Sequence, residues 1–595
     1  MDAWGTMVNL DKAVDLRVDR HEGALILSLT ETSTGLRYVD LDLIFQTLKE
    51  AAKDPQIIGV VLNLQGVQAL KPQLAQSVAQ TASQIESFPK PVIACLSGPT
   101  AGAIWALALA AHYRFAAPDV QIGMPEVRHG LMAGAGITQR LPRLIGAAET
   151  IRMLLGGRSE LAPVLLAKGA LDHVAEGDVL EAALAALAAG MTPRRTRDAQ
   201  DGLRDAKRYL AEIRAFQERV TADPLDVSRA VVKTVEAALL LPFSEGLALE
   251  AVTLEDLAQA PETRAVRHAI AAERAVRNRI RNMTSGFKSM PVLSLGRIGL
   301  WRAGPEAADL ILSSLMRGLF VVAVDPVKED LLPLLNRVAV LQEDLIGLKA
   351  ITPETRDADW ARLETSVDAS VLANCDLVLT DKGDLPAGSV PVVGLGPVCE
   401  LAGVVQLLPS PSAGGHAELS VPEIASQTPS VPLALELARQ LGWRLHVVGP
   451  NGFVAPHLRQ ALQAVTTCLI EMGHPGSEIS AGMAAVGLGG GQSRVRKHVV
   501  GVAYEVGQLA LAAVANEAAR LLVEGIAPSA QELDAAALSA GLMPRWTGGP
   551  LFQAQQRGLI LLRADLAKLG GKGRMAPCQV FDRMIAEGLQ FYPQT

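Results

Sequence analysis

Pro91–Gly146 reads PVIACLSGPTAGAIWALALAAHYRFAAPDVQIGMPEVRHGLMAGAGITQRLPRLIG. It opens with Pro91–Cys95, a short apolar run that is typical of a buried strand. A Ser-Gly-Pro turn signal follows, and the alanine- and leucine-rich segment Ala103–Ala111 then predicts a helix. This strand–turn–helix order is the building unit of a sheet with covering helices.

The preceding residues extend the same alternation. Strands are predicted at Ala24–Leu29 and Ile57–Leu62, and the helical spacing of apolar residues in Leu41–Lys53 places a helix between them. Residues 176–290 are rich in alanine, leucine, arginine and glutamate, so this segment is predicted to be almost wholly helical.

The second half of the chain returns to strands. Two strand signals flank a helix and make a βαβ unit, at Ile298–Trp301 and Leu319–Val324. Three further strands are predicted at Asp376–Leu379, Val390–Val393 and Val404–Leu408. Residues 409–431 are rich in serine and proline and predict a loop, and the chain is helical again from about Gly452.

The composition is that of a large globular protein. The 595 residues (62.8 kDa) are 49% hydrophobic and 20% charged, and the net charge of −7 gives no electrostatic footprint for nucleic acid. No apolar run of membrane-spanning length and no signal peptide are found, so a cytoplasmic protein is expected. The cysteines form no CxxC pair, which argues against zinc ribbons and disulfides: Cys95, Cys375, Cys399, Cys468 and Cys578.

Pro91–Gly146 resembles the enoyl-CoA hydratase/isomerase (crotonase) family. The AAPD segment, the PEV…GL segment and GAGITQRLPRLIG all fall in the family's register. The resemblance implies a site in which two backbone N–H groups bind the thioester oxygen and stabilise an enolate. It also implies two carboxylates, one that activates water and one that delivers a proton.

The resemblance assigns these roles residue by residue. One oxyanion donor falls on the backbone N–H of Ala103, and the other is placed on Ala69 in a shortened loop. The first catalytic glutamate position holds Ala106, which cannot transfer a proton, whereas the second holds Glu126. A single carboxylate suits a one-base proton shuttle better than a hydration. The alternative is that Glu126 only caps or pairs locally.

The remaining chain resembles multifunctional β-oxidation enzymes, which fuse a crotonase domain to a 3-hydroxyacyl-CoA dehydrogenase. The resemblance rests on Phe243–Leu247 (FSEGL), on Gly541–Pro550 (GLMPRWTGGP) and on the order of elements. Of the dinucleotide fingerprint GxGxxG, only the middle glycine is retained, and the positions are Arg302, Gly304 and Ala307, with Asp325 at the ribose-binding position. An arginine at the tight turn disfavours the usual NAD pose, so NAD binding is not expected.

The dehydrogenase chemistry implied by the resemblance is also altered. The family's histidine base falls on Val393, and the glutamate that orients it, twelve residues later, falls on Val405. The asparagine position holds Pro456, and the serine-bearing strand before the histidine is predicted to be deleted. None of these side chains can move a proton, so no 3-hydroxyacyl-CoA dehydrogenase activity is expected. His416 and His457 are interpreted as structural.

The predicted fold is α/β, with a crotonase domain (residues 1–190), a helical linker (191–290), a degenerate Rossmann-like domain (291–440) and an all-α dehydrogenase-type region (441–595). Two functions remain open. The protein either acts on an enoyl-CoA through Glu126, or it is a non-catalytic scaffold or acyl-CoA-binding subunit that partners a thiolase or another β-oxidation enzyme. A third hypothesis, that the dehydrogenase-like half binds a different nucleotide, is supported by Arg302 alone. No metal and no other cofactor are expected.

Overall fold

The computed structural model describes residues 16–29, 36–68, 72–221, 223, 225–285, 287, 294–384, 390–397, 400–410, 415–450, 452–489, 501–570 and 573–592. The chain divides into two compact units, Met1–Arg264 and Ala265–Thr595. The predicted fold class is confirmed. The four-part domain division stays a prediction.

The first unit is a sheet with helices packed on it. Its strands are β1 (Leu16–His21), β2 (Ala24–Leu29), β3 (Gly59–Gln68), β4 (Val92–Gly102), β5 (Tyr113–Ala116), β6 (Gln121–Gly123), β7 (Ser159–Leu161) and β8 (His173–Val174). Its helices are α1 (Tyr38–Ala51), α2 (Pro72–Ser87), α3 (Ala103–Ala110), α4 (Ile137–Gly156), α5 (Ala162–Lys168), α6 (Val179–Ala188), α7 (Ala206–Val220), α8 (Asp226–Leu240) and α9 (Phe243–Gln259). Helix α10 (Pro261–Ser285) begins in this unit.

The strand order of this sheet is β1-β2-β3-β4-β5-β8, and β6 pairs with both β4 and β7. The hairpin β1–β2 and the pair β6–β7 are antiparallel, whereas the other pairs are parallel. Helix α3 is apolar on all sides, and all eight of its residues are buried. A helix without a polar face is stable only inside a core, so α3 lies at the centre of the unit.

The second unit combines a second sheet with a helical part. Its strands are β9 (Arg297–Trp301), β10 (Phe320–Val324), β11 (Leu363–Ser366), β12 (Leu377–Thr380), β13 (Val392–Leu395), β14 (Gln406–Ser410), β15 (His416–Ser420) and β16 (Arg444–Val448). Helices α11 (Ala308–Met316), α12 (Leu331–Gly347), α13 (Pro353–Trp360) and α14 (Ser430–Leu441) connect them. The helical part holds α15 (Val454–Glu471), α16 (Gly476–Ala485), α17 (Val502–Val523), α18 (Ala530–Ser539), α19 (Pro550–Arg557), α20 (Leu559–Lys568) and α21 (Gln579–Glu587).

The second sheet has the order β11-β10-β9-β12-β13-β14-β15-β16, in which only β14–β15 is antiparallel. Strand β9 thus has β10 on one side and β12 on the other, which is the switch point of a Rossmann-like sheet. The prediction of a loop over residues 409–431 is wrong in part. Strand β15 lies inside it and α14 begins at its end, because β15 pairs with β14 on one side and β16 on the other and is buried along its whole length.

By length and composition, one described helix, α17, is apolar enough to cross a membrane. However, 83% of its apolar window is buried inside the structure, as in the core helix of a globular protein.

Candidate active site

The register of β4 and β6 brings the two predicted site residues of the first unit to one edge of the sheet. Ala101 on β4 pairs in parallel with Gly123 on β6. The chain continues from Ala101 to Ala103 at the start of α3, and from Gly123 to Glu126 in the 3-10 helix Pro125–His129. Because parallel strands end at the same edge, Ala103 and Glu126 leave neighbouring strands side by side.

The turn into α3 aims backbone donors at this edge. Gly102 has φ 58° and ψ −121°, a conformation that glycine adopts without strain and that turns the strand sharply into the helix. The first N–H groups of a helix have no acceptor within the helix and carry partial positive charge. The N–H of Ala103, the first residue of α3, is therefore suited to bind a developing oxyanion, and Ala103 itself is buried.

Of the two carboxylates that the resemblance implies, the described residues at this edge retain Glu126. Glu126 is only 1% exposed, so its carboxylate lies inside the unit. Ala106 on α3 is fully buried, and its methyl group offers no second acid or base. Ala69, the predicted second oxyanion donor, lies outside the described residues.

The segment that follows Glu126 is held at both ends by helices from the predicted linker. At one end, the Thr263 hydroxyl donates to the carbonyl of Gly130 (3.0 Å). At the other, Glu250 on α9 accepts from the N–H of Gly136 (2.6 Å) and from the N–H and hydroxyl of Thr138 (3.0 and 2.5 Å). The Glu250 carboxylate thus occupies the amino end of α4, and burial raises its pKa.

A buried ion pair fixes α4 against α2. Arg140 makes two hydrogen bonds to Glu86, at 3.3 and 2.9 Å, and both side chains are at most 1% exposed. Arg197 adds a backbone and a side-chain bond to the same carboxylate, at 2.8 and 2.9 Å. Burial alone would raise the pKa of Glu86, but Arg140 and Arg197 outweigh it and lower the pKa. Removing either member would leave a buried charge without its partner, which is strongly destabilising.

In the second unit, the crevice expected to hold a dinucleotide lies at the carboxyl ends of β9 and β12. Arg302 follows β9 and has φ 49°, so an arginine occupies the left-handed conformation that the fingerprint's first glycine would take. Its guanidinium pairs with the carboxylate of Asp384, which also accepts from the indole N–H of Trp301 at 3.3 Å. This ion pair raises the pKa of Arg302.

Two further residues of the phosphate-binding turn disfavour a bound pyrophosphate. Pro305 follows Gly304 and has no N–H to donate. A Cβ built on Gly304 would lie 2.5 Å from a carboxylate oxygen of Glu306, so that negative charge covers the face on which a pyrophosphate would approach. Asp325 directly follows β10, but its carboxylate accepts from the N–H of Val327 (2.9 Å) within its own turn.

The positions assigned to the dehydrogenase base and its partner, Val393 and Val405, are fully buried in the core of the second sheet. Neither aliphatic side chain can take up a proton, so these two positions provide no base.

An imidazole–carboxylate pair does exist in this unit, and the sequence did not reveal it. His416 Nε2 lies 3.2 Å from Glu418, and His416 Nδ1 lies 2.6 Å from the hydroxyl of Ser539. His416, interpreted from the sequence as structural, thus has a carboxylate partner that the sequence did not indicate. The alternation in HAELS was the available signal for the pair, but Ser539 is distant in sequence and only the tertiary fold brings it there.

Comparisons with known proteins agree with this architecture. Residues 44–229 match the family model for enoyl-CoA hydratase/isomerase. The peroxisomal bifunctional enzyme of Pongo abelii is 31% identical over 263 residues (43% of this chain, 36% of that protein). The human peroxisomal bifunctional enzyme is 29% identical over 267 residues, with the same coverage. The chain thus matches about a third of the length of these curated relatives.

Among solved structures, an enoyl-CoA hydratase from Rhodobacter sphaeroides 2.4.1 is 20% identical, with coverage of 43% of this chain and 90% of that chain and a TM-score of 0.34. An enoyl-CoA hydratase from Mycobacterium avium subsp. paratuberculosis K-10 is 19% identical, with coverage of 44% and 96% and a TM-score of 0.30. The family match confirms the resemblance found in Pro91–Gly146.

Proposed function

Because residues 44–229 match the family model for enoyl-CoA hydratase/isomerase, we propose that the first unit binds CoA thioesters and shifts a double bond in an enoyl-CoA. The observation that carries this proposal is that Ala103, the first residue of α3, and the buried residue Glu126 follow two paired strands. The N–H of Ala103 stabilises the thioester oxygen as it becomes an enolate.

A one-base isomerisation balances with these groups alone. The Glu126 carboxylate takes a proton from the carbon next to the thioester carbonyl of a 3-enoyl-CoA, and the electron pair moves into the enolate. The same carboxyl group returns the proton at the far end of the conjugated system, which yields the 2-enoyl-CoA. Hydration would need a second group to hold and activate water, and Ala106 at that position supplies none.

The decisive experiment compares Glu126→Gln with the wild type on 3-enoyl-CoA and 2-enoyl-CoA thioesters. We expect isomerisation in the wild type, a loss of about 10²- to 10⁴-fold in the variant, and little hydration by either. Glu176→Gln is the matched control, since Glu176 is exposed and should leave the rate unchanged. Equal isomerisation by wild type and Glu126→Gln would disprove the role of Glu126.

We further propose that the second unit has no NAD-dependent dehydrogenase activity. Arg302 in the tight turn, the missing N–H at Pro305 and the carboxylate of Glu306 all oppose a bound pyrophosphate. The position that the resemblance assigns to the base holds Val393. Calorimetric titration with NAD should give no binding heat, and a measured NAD-dependent oxidation of a 3-hydroxyacyl-CoA would refute the proposal.

The second candidate function is a non-catalytic acyl-CoA-binding subunit or scaffold. It is favoured by the simultaneous replacement of reactive groups in both units, at Ala106, Val393 and Pro456, within intact packing. A wild type that binds acyl-CoA but converts none of the panel would support it. Co-purification with a thiolase or another β-oxidation subunit would identify the partner.

A further inference from the structure

Four buried polar side chains of the second unit form one continuous row of contacts. His416 lies 3.2 Å from Glu418 and 2.6 Å from the hydroxyl of Ser539. The same hydroxyl lies 2.6 Å from Nε2 of His446. All four residues are at most 6% exposed.

The contacts determine where each proton lies. Glu418 accepts from the N–H groups of Val454 (2.5 Å) and Ala455 (2.8 Å), so its carboxylate is an acceptor and His416 donates to it through Nε2. His416 Nδ1 is then an acceptor and receives the hydroxyl proton of Ser539. The hydroxyl oxygen in turn accepts from Nε2 of His446, whose Nδ1 has no hydrogen-bond partner within the described residues.

This row of bonds joins elements from both parts of the unit. Glu418 and His416 lie on β15, His446 lies on β16, and Ser539 is the last residue of α18. Through Glu418 the row also holds the first turn of α15. The sheet and two helices of the helical part therefore share one set of hydrogen bonds, which we call the relay (Glu418, His416, Ser539 and His446).

The Ser-His-Glu order resembles that of a nucleophilic triad, but its surroundings do not. An activated serine needs N–H donors for the oxyanion, as at the amino end of a helix. Ser539 lies instead at the carboxyl end of α18, where carbonyl groups carry partial negative charge. Its hydroxyl is also engaged on both sides and 6% exposed. The relay is therefore a structural contact and not a catalytic site.

We propose that the relay is an acid-sensitive contact, called the latch below, that holds α18 against β15 and β16, the last two strands of the sheet. The imidazole of His446 must stay neutral for this contact to hold, because no carboxylate among the described residues lies within hydrogen-bond distance of it. A proton added to His446 would create a buried charge without a partner.

The charged groups around the relay also disfavour a proton on His446. Besides His446, the charged or titratable groups on β15, β16, α15 and α18 are His416, Glu418, Arg444, His457, Arg459, Cys468, Glu471, Glu532 and Asp534. Arg459 donates to the carbonyl of Ala540 (3.0 Å). Asp534 is already engaged by the N–H groups of Leu551 and Phe552, by the hydroxyl of Tyr592 and by His268. Burial, with smaller contributions from His416 and Arg444, lowers the pKa of His446 to about 3.

The sign of the pH dependence follows from this shift. The pKa of an exposed histidine is near 6.5, whereas burial lowers the pKa of His446 in the closed latch to about 3. Between these values the open state binds one proton more than the closed state, so acid favours opening. The opening constant should therefore rise by up to about tenfold for each pH unit below about 6.

The test measures hydrogen exchange of the full chain between pH 7 and 4.5, corrected for the intrinsic rate and followed in peptides that cover α18. In the wild type, protection of α18 should fall with this slope. His446→Gln keeps a donor for Ser539 but cannot titrate, so its slope should be shallower by one proton. His474→Gln, at a half-buried histidine paired with Glu478, should keep the wild-type slope.

An unchanged slope in His446→Gln, or wild-type protection independent of pH, would overturn the proposal. If His446→Gln does not fold, ¹⁵N NMR of wild-type protein labelled at histidine tests the proposal through the protonation state of the imidazoles. We expect one imidazole that remains neutral at pH 5 with its proton on Nε2. A spectrum in which every histidine is charged at pH 5 would overturn the latch as well.

Discussion

Arg302 shows how one residue can change a binding turn while the fold around it is kept. Its φ of 49° costs an L-amino acid about 1 kcal/mol or more, and its exposed ion pair with Asp384 offsets little of this. Glycine at this position would relieve the strain but would lose more entropy on folding. We expect Arg302→Gly to change the free energy of unfolding by less than about 1 kcal/mol, measured by urea denaturation.

The same variant should still not bind NAD, because Pro305 and Glu306 remain in the turn. Calorimetry on Arg302→Gly and on Arg302→Gly/Glu306→Gln distinguishes the contributions. Binding by the double variant alone would identify the Glu306 carboxylate as the main obstacle. Binding by the single variant would contradict the expectation, since it would show that Arg302 alone prevents the contact.

At the residue scale, the sequence predicted what is local and missed what the tertiary fold assembles. Glu126 and Ala103 follow from one contiguous motif, and the replacement of glycine by Arg302 is visible in the sequence itself. The relay was missed because its members come from three separate segments. His416 and Ser539 are brought together only by the packing of a helix against a sheet, which no spacing in the sequence encodes.

At the scale of elements, α9 and the first turn of α10 belong to the site because they hold the segment after Glu126. Glu250→Ala removes the acceptor for the N–H groups of Gly136 and Thr138 and leaves them buried. Unsatisfied buried donors cost about 1–3 kcal/mol each, so this variant should lower the free energy of unfolding of the first unit by that order. Glu250→Gln keeps one acceptor oxygen and should lose less.

The control for this prediction is Glu255→Gln, on the same helix with an exposed side chain. Urea unfolding of the full chain gives the stability, and acyl-CoA calorimetry gives the effect on the site. Weaker acyl-CoA binding by Glu250→Gln at unchanged stability would indicate a positioning role. If the Glu250 variants had the same stability and acyl-CoA binding as Glu255→Gln, α9 would not hold this segment.

Elements with a strong apolar pattern were predicted more accurately than elements with a weak one. The helix α3 and the strands β2 and β10 have continuous apolar runs and were placed within one residue, whereas β4 was predicted to end at Cys95 and continues to Gly102. Strand β15 was missed because proline and serine around it indicate a loop, although its alternating residues are all buried. Strand β16 was missed because the charged and polar residues of RLHVV interrupt its apolar pattern.

At the scale of the whole molecule, each unit has its own buried cysteine, and these thiols report on each unit separately. Cys95 lies in β4 of the first unit and Cys375 lies beside β12 of the second. Burial raises the pKa of both thiols, which keeps them protonated and unreactive in the folded chain. Labelling of either cysteine therefore requires its unit to open.

We expect the two thiols to be labelled at different urea concentrations, because the cores around them consist of separate sets of side chains. Mass spectrometry of peptides from the labelled full chain measures both midpoints in one experiment. Glu250→Ala should lower the midpoint of Cys95 alone, and Ser539→Ala, which breaks the relay at its centre, should lower that of Cys375 alone. If both thiols shared one midpoint and each variant shifted it, the two units would unfold as one cooperative body. Stability measurements could then not separate the effects assigned to each unit.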